Sequence, residues 1–115
     1  MNDNNISILD ALNKSKELSD KHEWPRNTDE AKLLMLYMIE ELGESIALIK
    51  KKKDQDLLVD GLHRERFIEE LTDVFMYYTD ILNCYNISSE EFSNAYLKKM
   101  NKNLKRDYET DHKEF

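Results

Sequence analysis

Leu33-Leu34-Met35-Leu36-Tyr37-Met38-Ile39 runs without a break into Glu40-Glu41-Leu42-Gly43-Glu44. Seven apolar residues in a row leave a helix no polar face, so this segment reads as a helix buried on several sides. Carboxylates on so apolar a helix carry a desolvation cost that something must compensate. A second acidic cluster, Glu69-Glu70-Leu71-Thr72-Asp73, interrupts another apolar stretch downstream. The two clusters read as the walls of one metal site. The segments that carry them read as neighbouring helices of an all-α, four-helix-bundle-like single domain over residues 1–115, with a polar tail from about residue 107.

Composition supports this class. Two glycines and one proline in 115 residues are too few for the turns of an all-β chain. A charged fraction of 36% beside 40% hydrophobic residues suits a soluble helical bundle. The net charge of −7 opposes general nucleic-acid affinity, which depends on neutralising phosphates with Lys and Arg. Met1 to Asn5 are polar and carry no apolar core of a leader, so no signal peptide is expected. No apolar run reaches the length of a membrane span. Cys84 is the only cysteine, which excludes an intrachain disulfide. A cytoplasmic protein with neither a membrane nor a nucleic-acid partner is the expectation.

Upstream of the acidic helix, Ser7 can cap a first helix running to about His22, with Ile8, Leu9, Leu12 and Leu18 as its apolar stripe. Pro25 biases Trp24 out of helical conformation, so Glu23 to Asn27 form a loop. Trp24, the sole tryptophan, reads first as a hydrophobic plug beneath that loop and second as an aromatic plate for stacking a base. Thr28 is placed to cap the second helix, which runs to about Lys52 with Asp29 and Glu30 in its first turn. Gly43 in mid-helix costs roughly 1 kcal/mol relative to Ala, which invites a reason such as close approach of a backbone or a ligand. Lys50 to Lys53 end the helix and complement its dipole.

Downstream, Asp54 to His63 is too apolar for a free linker and is expected to pack, with a short helical turn. A further helix is expected from about Arg64 to Tyr85, cored by Phe67, Ile68, Leu71, Val74, Phe75, Tyr78, Ile81 and Leu82. Ser88 and Glu91 have capping-box spacing, so the last long helix starts there.

Three constellations carry chemistry. Residues three or four apart share a helix face, so Glu41 and Glu44 project together, with Glu40 alongside through its spacing to Glu44. Glu70 and Asp73 do the same on the partner helix. On antiparallel helices these pairs would form a ring of four carboxylates, whose mutual repulsion a hard cation relieves. An all-oxygen ligand set favours Mg²⁺, with Mn²⁺ as a substitute. No histidine stands at the offset a di-iron bundle requires. Set against this, Glu-x-x-Glu is common on solvated helix faces. Both pairs here, however, sit in the two most apolar helices with the same offset. The third constellation, Tyr96 to Arg106, holds five cationic residues and no acid. Lys99, Asn103 and Arg106 fall on one face, a pattern suited to phosphate oxygens; taken alone it equally describes a basic helix end answering the dipole. His22, His63 and His112 show no ligand spacing and read as surface residues.

Glu41-x-x-Glu44, 25 further residues, Glu70-x-x-Asp73 and then Lys99-x-x-x-Asn103-x-x-Arg106 together resemble the MazG-like nucleotide pyrophosphohydrolases of the all-α NTP pyrophosphatase superfamily. The resemblance spans Trp24 to Arg106. It implies Mg²⁺-dependent hydrolysis of a nucleoside triphosphate between the α and β phosphates, releasing a monophosphate and pyrophosphate in nucleotide-pool house-cleaning. It implies that Glu41, Glu44, Glu70 and Asp73 hold the metal. Glu40, the leading acid of the family's doubled-Glu motif, would bind a further metal or orient the attacking water. It further implies that Lys99, Asn103 and Arg106 grip the phosphates, that Trp24 contacts the base, and that the site is completed in a homodimer or a dimer of dimers. Two readings compete with it: a phosphoribosyl-ATP pyrophosphohydrolase, and a non-catalytic helical module that binds nucleotides or proteins without turnover. The basic C-terminal face favours the MazG-like branch over the phosphoribosyl-ATP branch, and the intact acid set argues against a decayed module.

Overall fold

In a computed structural model, residues 4–107 are described, and their elements are all helical: α1 (Ile8–Lys21), α2 (Thr28–Lys51), α3 (Asp54–Leu58), α4 (Leu62–Cys84) and α5 (Ser89–Lys105). The fold is all-α, as the acidic, glycine-poor sequence implies. Each helix begins where local chemistry satisfies its free N–H groups. Ser7 and Ser88 both form complete capping boxes, with Asp10 and Glu91 answering from the third position. At α2 the cap is Asn27, not Thr28. The backbone of Asn27 is extended and its side-chain oxygen accepts from the Glu30 N–H at 2.8 Å, so the helix begins one residue earlier than a Thr28 cap would set it.

The connector after α2 packs as expected. α3 is its short helix, with Leu57 buried and the Leu57 carbonyl accepting from the Arg64 guanidinium at 2.9 Å. α4 starts two residues before Arg64 because Gly61 stands at its cap with φ of +153°, a conformation open to glycine and strained for other residues. A methyl group added at Gly43 would meet no atom within 4 Å, so nothing in the chain approaches it closely.

α2 and α4 form the main packing pair, α1 lies against α4, and α5 packs chiefly on α1. The pairing of α2 with α4 is antiparallel: Ala31 packs with Ile81 and Cys84, and one turn and a half further on Tyr37 meets Tyr77. Leu34 and Met38 extend that core. Asn83 ties α4 to α1 through a buried hydrogen bond from its amide to the Leu12 carbonyl at 2.9 Å. The radius of gyration is 17.3 Å. A compact chain of this length has about 13 Å. The difference is visible in the apolar residues left outside: Leu36, Ile39 and Leu62 are 57%, 61% and 81% exposed. The chain alone thus covers only one side of its most apolar helix.

Candidate metal centre and adjoining cavity

Glu41 and Glu44 lie one turn apart on α2, and Glu70 lies opposite them on α4. One carboxylate oxygen from each falls within 4.8 Å of the other two. Glu41 and Glu70 are half-buried and Glu44 is exposed. Three carboxylates this close cannot all carry charge without penalty. The Glu41 carboxyl is pushed up from 4.5 to about 7, first by its hydrogen bond to Glu70, then by burial and by Glu44. When protonated, Glu41 donates to Glu70, and that bond works against the rise at Glu70; burial and the charges of Glu44 and Asp73 nonetheless raise it. The two form a coupled pair sharing a proton, so the rise belongs to the pair rather than to either residue.

The Oε2 oxygen of Glu70 is buried and has no hydrogen-bond partner. An orphaned carboxylate oxygen is costly, and a divalent cation satisfies it while displacing the shared proton. With oxygen-only donors the set fits a hard ion such as Mg²⁺. Asp73 sits one turn along α4 from Glu70 and acts on it electrostatically, but its carboxylate lies outside the close trio. Glu40 is exposed and stands apart from the trio as well.

The basic face is placed differently. α5 packs chiefly on α1, and its first turns meet α4 through Phe92, whose ring contacts Tyr78 edge-on at 6.0 Å. Lys99 is exposed; Asn103 and Arg106 are half-buried. The Asn103 side-chain oxygen is buried without a hydrogen-bond partner. Trp24 is not a plug: it is 52% exposed and stacks on His22 with ring centroids 4.8 Å apart. His22 and His63 are surface residues as expected, and His112 lies outside the described residues.

Trp24 forms part of a cavity of about 250 Å³ whose other walls include Tyr37, Tyr77, Glu30 and Asp80. Asp80 is half-buried, and the Ser15 hydroxyl donates to it across the α1–α4 contact. Burial raises its carboxyl, while Ser15 and the Arg26 charge oppose the rise. Arg26 itself is held by the Ser19 hydroxyl at 3.0 Å and the Asp20 carboxylate at 3.1 Å. Spacing could have linked this cavity to the acids. Positions 30, 34, 37, 41 and 44 of α2 form one stripe at alternating steps of four and three. Positions 70, 73, 77, 80 and 84 of α4 do the same. Cavity and carboxylates share one groove, and Tyr77 is raised by the charges of Glu41, Asp73 and Asp80 after its own burial.

No curated protein and no solved structure is similar enough to this chain to match it. A family model does match, and it covers α2 from Asp29 onward, both acidic turns and the basic face of α5, over residues 29–106. That span holds every element that builds the groove from the α2 start onward, and it describes the MazG nucleotide pyrophosphohydrolase domain, so the chain belongs to the MazG nucleotide pyrophosphohydrolase family.

Proposed function

We propose that the protein is a Mg²⁺-dependent nucleoside triphosphate pyrophosphohydrolase. It cleaves between the α and β phosphates to give a monophosphate and pyrophosphate, and serves nucleotide-pool house-cleaning in the cytoplasm. The observation that carries this reading is the convergence of Glu41, Glu44 and Glu70 around an orphaned Glu70 oxygen, in a chain of this family. Glu41, Glu44 and Glu70 hold the cation, with Asp73 completing the set from the next turn; Mn²⁺ is a competent substitute. The cation supplies charge stabilisation at the phosphates and a lowered pKa for the attacking water. Glu40, exposed and outside the trio, binds a further metal or orients that water. Lys99, Asn103 and Arg106 bind the phosphate oxygens, and Trp24 contacts the base.

The working form is a homodimer or a dimer of dimers. Met35, Ile39, Leu42, Ile46 and Ile49 follow one another at seam spacing along α2, each between 45% and 61% exposed. Ile68, Leu71, Phe75 and Tyr78 do the same on α4, between 37% and 48% exposed. Apolar stripes this long are interaction surfaces. A second copy covers them with its own and brings a second α5 within reach of the acids.

The deciding experiment incubates the protein with each ribo- and deoxyribonucleoside triphosphate and Mg²⁺, and assays pyrophosphate. Release of pyrophosphate from at least one is expected. Its absence from all of them refutes the proposal, and orthophosphate in its place would show that a different bond is cut.

A further inference from the structure

We propose that the groove between α1 and α4 is a contact with a second copy of this chain, in which the two α1 helices pair antiparallel across a two-fold axis. α1 lies outside residues 29–106, so membership of the family does not carry this contact. It is separate from the stripes on α2 and α4, and it supplies the second interface that a dimer of dimers needs.

A cavity of about 340 Å³ opens between the two helices, walled by Ile6 and Leu18 from α1 and its entry, and by Phe75 and Met76 from α4. These four are 67%, 45%, 39% and 54% exposed. An open apolar wall of this kind marks an interaction surface. The pattern along α1 identifies what covers it. Ile6, Asp10, Lys14 and Leu18 recur every four residues, and all four line the cavity. Such a repeat is one ridge of a helix surface, and ridges of this kind interdigitate in the commonest class of helix pair.

The ridge is complementary to its own reverse. Turned about position 12, Ile6 changes places with Leu18 and Asp10 with Lys14. A two-fold interface requires this property, since residue i meets j and j meets i. An antiparallel pair therefore sets apolar against apolar at both ends and two ion pairs in the middle. A parallel pair would oppose Asp10 to Asp10 and Lys14 to Lys14. Both charges are available. Asp10 accepts the Ser7 N–H on Oδ2 at 3.2 Å, leaving Oδ1. Lys14 meets only Glu17, at 3.4 Å on the open surface, where a pair is weak. The ion pairs fix direction and register, and burial of Ile6, Leu18, Phe75 and Met76 supplies the driving force.

The test uses two full-length variants, Ile6→Cys and Leu18→Cys, oxidised separately and as an equal mixture, with linked dimer read by non-reducing electrophoresis. The mixture is expected to link about tenfold faster than either variant alone. Alone, each thiol faces a copy of itself from the far end of the pair, about 18 Å away along the helix. A disulfide needs Cα atoms within about 7 Å. Cys84 is buried and common to every sample, so it adds an equal background. Equal rates in all three samples, or no link in any, overturns the proposal. Adding Ile39→Asp and Leu42→Asp to both variants tests the α2 stripe separately: linking that persists belongs to α1, and linking that disappears overturns the proposal. Should a cysteine variant fail to fold, Lys14→Glu decides. It opposes acid to acid twice and should halve the assembly in sedimentation, and an unchanged mass refutes the pairing. No readout involves a nucleotide, so the result stands apart from the hydrolytic reading.

Discussion

Replacing Glu41 by Gln should stabilise the metal-free protein, and the effect should depend on pH. The Glu41 carboxyl is raised from 4.5 to about 7 in the folded chain. A raised acid contributes stability that is fully present below its unfolded value of 4.5 and is lost as pH rises through about 7. Above that pH the folded chain must hold Glu41, Glu44 and Glu70 ionised together. The rise corresponds to about 3 kcal/mol of differential interaction. The trio is open to water at Glu44, so screening reduces this, and about 1–2 kcal/mol remains. The amide in the Glu41→Gln variant stays neutral and still donates to Glu70, as the protonated acid does. At pH 8 in a chelator its melting midpoint should exceed that of the wild type by about 4–10 °C. At pH 4.5 the two should coincide. Saturating Mg²⁺ should reverse the order, because a ligand at a hundred times its Kd adds about 2.7 kcal/mol to the protein that binds it. Thermal melts followed by circular dichroism at fixed protein concentration measure all of this. A variant less stable than the wild type at pH 8 in chelator, or a wild-type midpoint indifferent to Mg²⁺, would refute the reasoning.

Further outcomes follow from the same geometry. Glu44→Gln and Asp73→Asn should each abolish pyrophosphate release while leaving the helical spectrum unchanged; full activity in Asp73→Asn would restrict the ligands to the close trio. If Arg106 binds phosphate as proposed, Arg106→Ala should raise KM at least several-fold with a smaller change in kcat, read from steady-state kinetics. Asn83→Ala removes the buried bond to the Leu12 carbonyl and should cost about 1–3 kcal/mol in urea denaturation, detaching α1 from α4. Sedimentation should show a dimer or tetramer, and Ile39→Asp together with Leu42→Asp should dissociate it.

The helices were legible because their signals are local. Ser7 and Ser88 with acids three residues on, Pro25 after Trp24, and the lysines ending α2 each act within one turn of chain. Pairing of Glu41 and Glu44 with Glu70 followed from spacing on two apolar helices, and the structure brings these three together. What escaped depends on contacts between distant segments. Spacing put Asp73 on the same face of α4 as Glu70, and the close trio holds Glu41, Glu44 and Glu70 without it. The choice between Asn27 and Thr28 as cap turned on a single backbone conformation. Trp24 reads as a plug only if a loop tryptophan must be covered, and stacking on His22 removes that need. Asp80 carried no motif. Its bond with Ser15 joins residues 65 apart in sequence.

The all-round apolarity of Leu33 to Ile39 resolves into two stripes with different duties. Leu34, Tyr37 and Glu41 face the groove shared with α4, where the cavity and the acids lie. Met35 and Leu42 lie one residue on from Leu34 and Glu41, about 100° around the helix, Ile39 two on from Tyr37, and all three remain exposed in the single chain. Because both stripes repeat every seven residues, they stay in phase along the whole of α2. A single-residue deletion between Tyr37 and Glu41 would turn the acids away from the α4 stripe by that same angle and carry Leu42 and Ile46 out of line with Met35. The acidic trio and the exposed apolar stripe would be lost together. The helix cannot vary one stripe's register without the other's. This coupling explains why so apolar a segment leads without interruption into Glu40-Glu41-Leu42-Gly43-Glu44: the residues that hold the outer seam are interleaved with those that position the carboxylates.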